Sequence, residues 1–435
     1  MLAPLTKPLV QLVERYLPDP YVLVLFLTIV VMGSAVIFEG TSPLAVVQMW
    51  GDGFWKLLQF SMQMVFVLVA GYMMASTPLV RRILSRLAGY ASTPRGAILL
   101  VSVVSLGASW INWGFGLIVG ALFAKELARK IEVDYRLLIA SAYSGFLVWH
   151  GGLAGSIPLA IATEGHPFAA QMGVIGTSQT IFAPFNLAIV ASLFIAVPLV
   201  NRMMLPSAAD SIYVDRAKLD DDIIDAGAPE TPSDRIEMSP ILSWIIGAAA
   251  AVWLVTHFLA GGGLTLDVVN FLFLTLAILL HGSPRHLLLS LQQGVKGAAG
   301  IVIQFPFYAG IMAIMVGSGL AASISDGMVS FATERSFPFW TFLSAGIVNF
   351  FVPSGGGQWA VQAPVILPAA AELGVDQARA AMAVAWGDAW TNMIQPFWAL
   401  PLLGIAGLRA KDIMGFCVVQ LFVSGILITI GLTFL

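Results

Sequence analysis

Residues of one half of this 435-residue chain recur in the other half about 241 positions later. Ser42, Pro43, Gly53 and Gln63 return at the same spacing as Ser283, Pro284, Gly294 and Gln304. Val133, Asp134 and Gly145 return as Val375, Asp376 and Gly387 with one residue of slippage. The identities are few, but apolar segments recur around them in the same order. A repeat of this kind requires two copies of one helical plan that pack against each other.

The alphabet of the repeat is membrane-soluble. The chain is 58% hydrophobic and 10% charged, where a soluble domain carries about 25% charged residues. An apolar run of about 20 residues crosses the hydrocarbon layer. Spans are expected at 21–38, 57–79, 137–163, 177–200, 240–260, 266–281, 297–321, 378–404 and 412–433. Two longer apolar stretches, 96–124 and 337–371, are broken in the middle. Residues 1–20 carry Lys7, Glu14, Arg15 and Asp19 and lack a cleavage site, so no leader peptide is expected there. Leu9, Leu12, Val13, Tyr16 and Leu17 suit the apolar face of a short interfacial helix. The single Cys417 allows neither a disulfide nor a thiolate metal cluster.

Basic residues set the expected topology. The loop holding Arg81, Arg82, Arg86 and Arg95 has no acidic residue and reads as cytoplasmic. Stretch 96–124 runs on into Lys125, Arg129, Lys130 and Arg136, so both its ends belong on the same side. A re-entrant hairpin meets that demand and a single span does not. Propagated along the chain, this leaves only Lys56, Arg335 and Arg379 of the 21 Lys and Arg outside. The N-terminus falls in the cytoplasm and the C-terminus in the periplasm. Stretch 337–371 then enters from the outer face, as an inverted-topology repeat requires. The expected fold is an all-α polytopic membrane protein with two inverted repeats. Each repeat holds a re-entrant hairpin and a broken helix. Residues 1–200 form the first repeat and 201–239 a linker; 240–435 supply an extra span and the second repeat. The linker, with nine acidic and four basic residues, reads as a solvated cytoplasmic connection.

Backbone that leaves the helix inside a bilayer must be buried in protein or line a wet cavity. Four interruptions are therefore the candidate site. The first runs from Ser109 through Asn112 and Gly114 to Gly116. The second is Trp149-His150-Gly151-Gly152, followed by Gly155 to Pro158. The third is Pro353-Ser354-Gly355-Gly356-Gly357-Gln358. The fourth is Asp388, then Thr391-Asn392-Met393-Ile394-Gln395-Pro396. Offset by 242 residues, Asn112 falls on Ser354 and His150 on Asn392. Half-helix N-termini offer free N–H groups and a positive dipole end, and glycine admits a ligand close to the backbone. No Lys or Arg lies in these motifs, which favours an anion with a single carboxylate. The candidate substrate contacts are Ser109, Asn112, Gly114, His150, Gly151, Ser354, Gly355, Gly356, Gly357, Gln358, Thr391, Asn392 and Gln395. An intramembrane carboxylate is a functional group by default. Asp388, with Asn112 and His150, is the candidate for ion coupling. Seven of the twelve tryptophans lie in or beside the motifs and suit a slot for a short alkyl tail. The bland alternatives are close-packing glycines, interfacial tryptophans and a hydrogen-bonded interior histidine. Gln63 and Gln304 read as contacts between helices.

Three runs carry a family resemblance: Val352 to Trp359, Gly387 to Asn392, and Met49 to Trp55. They resemble the short-chain fatty acid transporter family, the AtoE type, over nearly the whole chain. The resemblance implies uptake of small monocarboxylates such as acetoacetate or butyrate across a bacterial inner membrane. It also implies the broader ion-transporter superfamily, whose members are commonly homodimers with a scaffold and a moving transport part. Some relatives carry dicarboxylates with sodium through Ser-Asn-Thr hairpin motifs. This chain has Trp110-Ile111-Asn112 and Ser354-Gly355-Gly356 at those places, so the coupling ion, H+ or Na+, stays open. A dicarboxylate or hydroxy-acid carrier is the alternative. No catalytic signature such as His-Glu-x-x-His or Gly-x-Ser-x-Gly occurs. No enzyme activity, cofactor or nucleic-acid partner is expected; the partners are the carboxylate and membrane lipid.

Overall fold

Serine or threonine followed by proline punctuates the chain, and each such pair starts a helix. The side chains of Ser42, Thr77, Thr93, Ser239 and Ser283 accept a hydrogen bond from the first helical turn, and proline follows in each case. The cap satisfies an otherwise free N–H, and proline has none to lose at that position. The computed structural model describes residues 20–216, 219, 227–349, 352 and 354–435. The interfacial helix expected over residues 9–17, the acidic run Asp220, Asp221, Asp222 and Asp225, and Pro353 lie outside them.

The described residues are helical, without strands. The first half comprises α1 (Pro20–Glu39), α2 (Pro43–Gly53), α3 (Leu58–Ala75), α4 (Pro78–Ala88), α5 (Pro94–Ile111) and α6 (Trp113–Lys130). It continues through α7 (Tyr135–Ser144), a 3-10 segment (Gly145–Gly151), α8 (Ser156–Ile161) and α9 (Pro184–Met203). The short α10 (Pro232–Glu237) and α11 (Pro240–Leu259) follow. The succession then returns as α12 (Leu266–His281), α13 (Pro284–Lys296), α14 (Ala299–Ser318), α15 (Leu320–Phe331), α16 (Phe337–Val348) and α17 (Gly355–Glu372). It closes with α18 (Gln377–Thr391), a 3-10 segment (Asn392–Ile394), α19 (Pro396–Ala406) and α20 (Ala410–Phe434). Among the described residues, seven helices are long and apolar enough to cross a membrane.

The recurring residues have the same local task in both halves. Asp134 caps α7 through Leu137 N at 2.9 Å, and Asp376 caps α18 through Arg379 N at 2.8 Å. Gly145 lies against the backbone of Ser105 in α5, and Gly387 lies against the Phe342 carbonyl in α16. A side chain at either place would drive the interrupted helix off α5 or α16. Gly53 of α2 abuts Ala313 of α14, while Gly294 of α13 faces Tyr72 of α3. The packing is reciprocal: α1 and α2 lie on α14, and α12 and α13 lie on α3. Gln63 donates to Asp267 of α12 at 2.8 Å, a contact between helices, whereas Gln304 accepts from Tyr308 of its own helix at 3.0 Å.

Three elements differ from the sequence expectation, the first being α15, which fills residues 320–331 between the stretches expected at 297–321 and 337–371. Residues 78–88, read as basic loop, form α4, because Val80, Leu84 and Ala88 recur at four-residue spacing and all three are buried. The span expected over 177–200 begins as a helix only at Pro184, after a 3-10 turn over Thr177–Gln179. Part of the linker is docked: Ile212 N donates to Asp134 at 2.8 Å, and Arg285 pairs with Asp234 at 2.8 Å.

Candidate functional site

The four interruptions are buried places where helices stop. Helices α5 and α6 are separated by Asn112 alone, whose extended backbone (φ −156°, ψ 128°) folds the chain back. Gly116 then overlies Ser109 so closely that a methyl group would overlap the hydroxyl. The Asn112 side chain caps α6, accepting from Phe115 N at 2.9 Å. Gly114 packs on the backbone of Leu68. Ser109 and Gly114 thus hold this tip together and press it against α3.

The second tip is built differently. Ser354 is also extended (φ −159°, ψ 112°) and precedes α17, but its side chain makes no capping hydrogen bond. The turn that follows is Gly355-Gly356-Gly357, all buried. A methyl group at Gly355 would overlap the His150 ring and lie 2.5 Å from Ser156 Oγ. One at Gly356 would meet the Phe60 ring at 2.5 Å, and one at Gly357 would meet the Tyr308 ring at 2.5 Å. A buried helix N-terminus without a side-chain cap keeps its donors for another acceptor.

His150 sits at the centre of this region and is fully buried. Its Nδ1 lies 2.7 Å from the Ala385 carbonyl and must donate; its Nε2 lies 2.9 Å from Ser156 Oγ and can accept from it. The Asp388 carboxylate reaches to 3.8 Å from Nδ1. Asp388 makes no hydrogen bond of full geometry among the described residues, although the Asn392 side chain acts on it as a hydrogen-bonding neighbour, and its side chain is fully buried. One turn further on, Asn392 accepts from Trp149 Nε1 at 3.0 Å, and its backbone carbonyl accepts from Tyr143 at 2.5 Å. Its Nδ2 makes no hydrogen bond of full geometry among the described residues, nor do Asn112 Nδ2 and the indole N–H groups of Trp113 and Trp359.

Three of the expected contacts are engaged elsewhere. Gln358 Nε2 donates to Ala345 O at 2.8 Å, Thr391 Oγ1 to Gly346 O at 3.0 Å, and Gln395 Nε2 to Asn349 O. All three hold carbonyls at the C-terminal end of α16, where Ala345 O also accepts from Asn349 N at 2.9 Å. The Gly151 carbonyl accepts from Trp110 at 3.1 Å and Asn186 at 3.0 Å, and the residue packs against the Trp386 ring. The two tips also lie at different levels: Asn112 touches Gly71 of α3 and Gly356 faces Phe60. Between the tips runs a buried aromatic set. Trp149 stacks on His150 at 3.6 Å, and Trp113 lies 5.8 Å from Trp149 and 5.2 Å from Trp398.

Sequence reasoning placed Ser156 in the second interruption without naming it as a contact and did not single out Asn186, Tyr308 or Asn349. Asn349 donates to Asp388 O at 3.0 Å and to Thr391 Oγ1 at 2.8 Å, fixing the break in the second half. The available signal was an amide inside an apolar span, which needs a polar partner in the bilayer interior. Among the described residues there is no group of three His, Cys, Asp or Glu side chains able to hold a metal ion.

Interrupted helices converging on buried polar groups within a multi-pass helical bundle define a membrane transporter. Solved structures share the fold. The YdaH transporter of Alcanivorax borkumensis, described as having an unusual topology, superposes with a TM-score of 0.57 at 16% identity, over 95% of this chain and 98% of that one. MtrF of Neisseria gonorrhoeae, described with a class of antimetabolite efflux pumps, superposes with a TM-score of 0.52 at 15% identity, over 97% of each chain. The family model "Short chain fatty acid transporter" matches residues 1–435. Proteins of Escherichia coli K12 and Haemophilus influenzae Rd, each named provisionally as a short-chain fatty acid transporter, are 42% identical over 440 and 449 residues, covering all of each chain. The chain belongs to the short-chain fatty acid transporter family, a family of transporters and not of enzymes.

Proposed function

We propose that this protein carries short-chain monocarboxylates such as acetoacetate or butyrate across a bacterial inner membrane, coupled to H+ or Na+. The observation that carries the reading is the buried N-terminus of α17. Its first turn is three glycines without a side-chain cap, set against His150 and Ser156. A carboxylate there would take backbone N–H donors and the positive dipole end. The absence of Lys and Arg from the four motifs limits the charge such a site can neutralise, which weighs against the dicarboxylate alternative.

Asp388 is the proposed coupling group. A buried ionised carboxylate without full hydrogen bonding is costly, so the closed state calls for a proton or a sodium ion beside it. His150 links Asp388 to the glycine turn and would relay occupancy between them. Full burial of His150, Asp388, Asn392 and Gln358 means that access requires movement. Alternating access, with the two helix pairs opening in turn, supplies it. In this reading residues 1–200 and 240–435 are inverted repeats, and 201–239 lies in the cytoplasm with the N-terminus. The C-terminus is periplasmic and two copies form a homodimer. The reciprocal packing of α1 and α2 on α14, and of α12 and α13 on α3, supports a two-fold relation between repeats.

The test is uptake of labelled butyrate into proteoliposomes under an imposed proton gradient, then under a sodium gradient. Accumulation driven by one of them is expected. No uptake under either would sink the monocarboxylate reading. The topology has its own test: cysteines placed near residues 112 and 356 should label from opposite faces. The native Cys417 is buried and does not interfere.

A further inference from the structure

Two cavities lie on one outer face, formed by α16, α18 and α20, at successive levels. The upper one, about 380 Å³, is lined by Glu334, Arg335, Asp376, Arg379, Leu432 and Thr433, among others. The lower one, about 310 Å³, is lined mainly by apolar side chains, including Phe342, Leu343, Trp390, Phe422, Ile426 and Ile430. Pro338 of the upper cavity and Phe342 of the lower are one helical turn apart on α16, as are Thr433 and Ile430 on α20. The polar cavity therefore caps the apolar groove. Phe422 and Ile426 are 65% and 63% exposed, so the groove opens towards the hydrocarbon.

The upper cavity holds two carboxylates and two cations, and the two guanidiniums rest on aromatic faces. Arg335 lies over the Phe434 ring at 4.9 Å and Arg379 over the Phe185 ring at 4.8 Å. Arg379 also donates to the Leu432 carbonyl at 3.3 Å. Neither guanidinium forms an ion pair with a carboxylate among the described residues, although Glu334 and Asp376 share the cavity. Asp376 is occupied in capping α18. Arginines held by aromatic faces keep their N–H forks for an anion, and the fork matches a phosphate. Arg335 stands in the turn before α16 and Arg379 in the first turn of α18, beside Leu432 and Thr433 in the last turn of α20, the level at which apolar helices meet lipid headgroups.

We propose that this face binds a glycerophospholipid. Its phosphate lies between Arg335 and Arg379, and one acyl chain runs down the groove past Trp390. A free anion would use the arginines but not the groove; a neutral lipid would use the groove but not the arginines. The site adjoins the transport machinery, because Trp390 packs on Gly346 beside Thr391 and donates to the Leu421 carbonyl at 2.7 Å.

The test is native mass spectrometry of the delipidated full chain, titrated in detergent with phosphatidylglycerol, with diacylglycerol of the same chains, with inorganic phosphate and with butyrate. Phosphatidylglycerol should bind at least about tenfold more tightly than the other three, given two charge-assisted contacts together with a tail. Arg335→Gln with Arg379→Gln should remove that preference. Ile426→Trp, which fills the groove and leaves both arginines, should weaken phosphatidylglycerol and diacylglycerol and leave phosphate and butyrate unchanged. Equal binding of phosphatidylglycerol and diacylglycerol would overturn the proposal. Binding of phosphate or butyrate as tight as that of phosphatidylglycerol, or a double variant that keeps the lipid preference, would overturn it too. None of these readouts depends on transport.

Discussion

The two helix-pair tips occupy equivalent positions and solve the same problem in opposite ways. At the first, Asn112 turns its side chain onto Phe115 N and closes the end of α6 from within. At the second, Ser354 leaves α17 uncapped and three glycines follow it, packed against His150, Phe60 and Tyr308. One tip is self-sufficient; the other needs an acceptor from outside the helix. The same contrast holds for the breaks behind them. Position 146 in the first half is phenylalanine, stacked on Trp149 at 5.4 Å. Its counterpart 242 residues on is Asp388, a fully buried carboxylate whose neighbours are Asn392 and His150. Of the two breaks, the second holds the buried carboxylate and the uncapped glycine turn.

The largest expected effect tests that asymmetry at its charged end. Asp388→Asn should abolish concentrative uptake while leaving substrate exchange; full accumulation by this variant would refute a coupling role. Next comes Gly355→Ala. The added methyl overlaps the His150 ring, so uptake at low substrate should fall about tenfold or more. A matching Gly114→Ala, whose methyl meets the Leu68 backbone at 3.0 Å, should mainly lower thermal stability, as overpacking costs about 1–3 kcal/mol. If both glycine variants behave alike, the two tips are not functionally distinct. A finer pair replaces the tip residues themselves. Asn112→Ala removes a cap and should cost about 1 kcal/mol of stability, read as a lower melting temperature. Ser354→Ala removes no capping bond and should leave the melting temperature within error while raising KM for the carboxylate. The smallest difference compares Asp376→Ala with Asp134→Ala. Both lose a helix cap, but Asp134 also pairs with Arg136 and accepts from Ile212 N, each at 2.8 Å. Asp134→Ala should therefore be the more destabilising in a melting experiment.

Much of this was legible in the sequence. Apolar run length placed most of the spans to within a few residues, the helix that starts at Pro184 being the exception. Run length is a local property of a chain that must satisfy its own backbone hydrogen bonds in lipid. The breaks at Asn112, His150, Ser354 and Asn392 were legible for the same reason, since glycine and amide residues interrupt otherwise continuous apolar runs. The amphipathic α4 was missed because its arginines masked a stripe of only three buried residues.

Which polar groups in the breaks are engaged, and which lack partners, was decided by tertiary structure alone. Gln358, Thr391 and Gln395 read as ligand donors in the sequence, yet their donors hold the end of α16, which lies beside them only once the helices pack. Ser156 and Ala385 secure both nitrogens of His150 from different halves of the chain. Asn349 and Asn186 brace the breaks across contacts 39 and 35 residues apart. Segment length is governed by neighbours along the chain, so the sequence by itself determined it. Hydrogen-bond partnership inside the bundle depends on which helices meet and at what level, and only the folded molecule determines that.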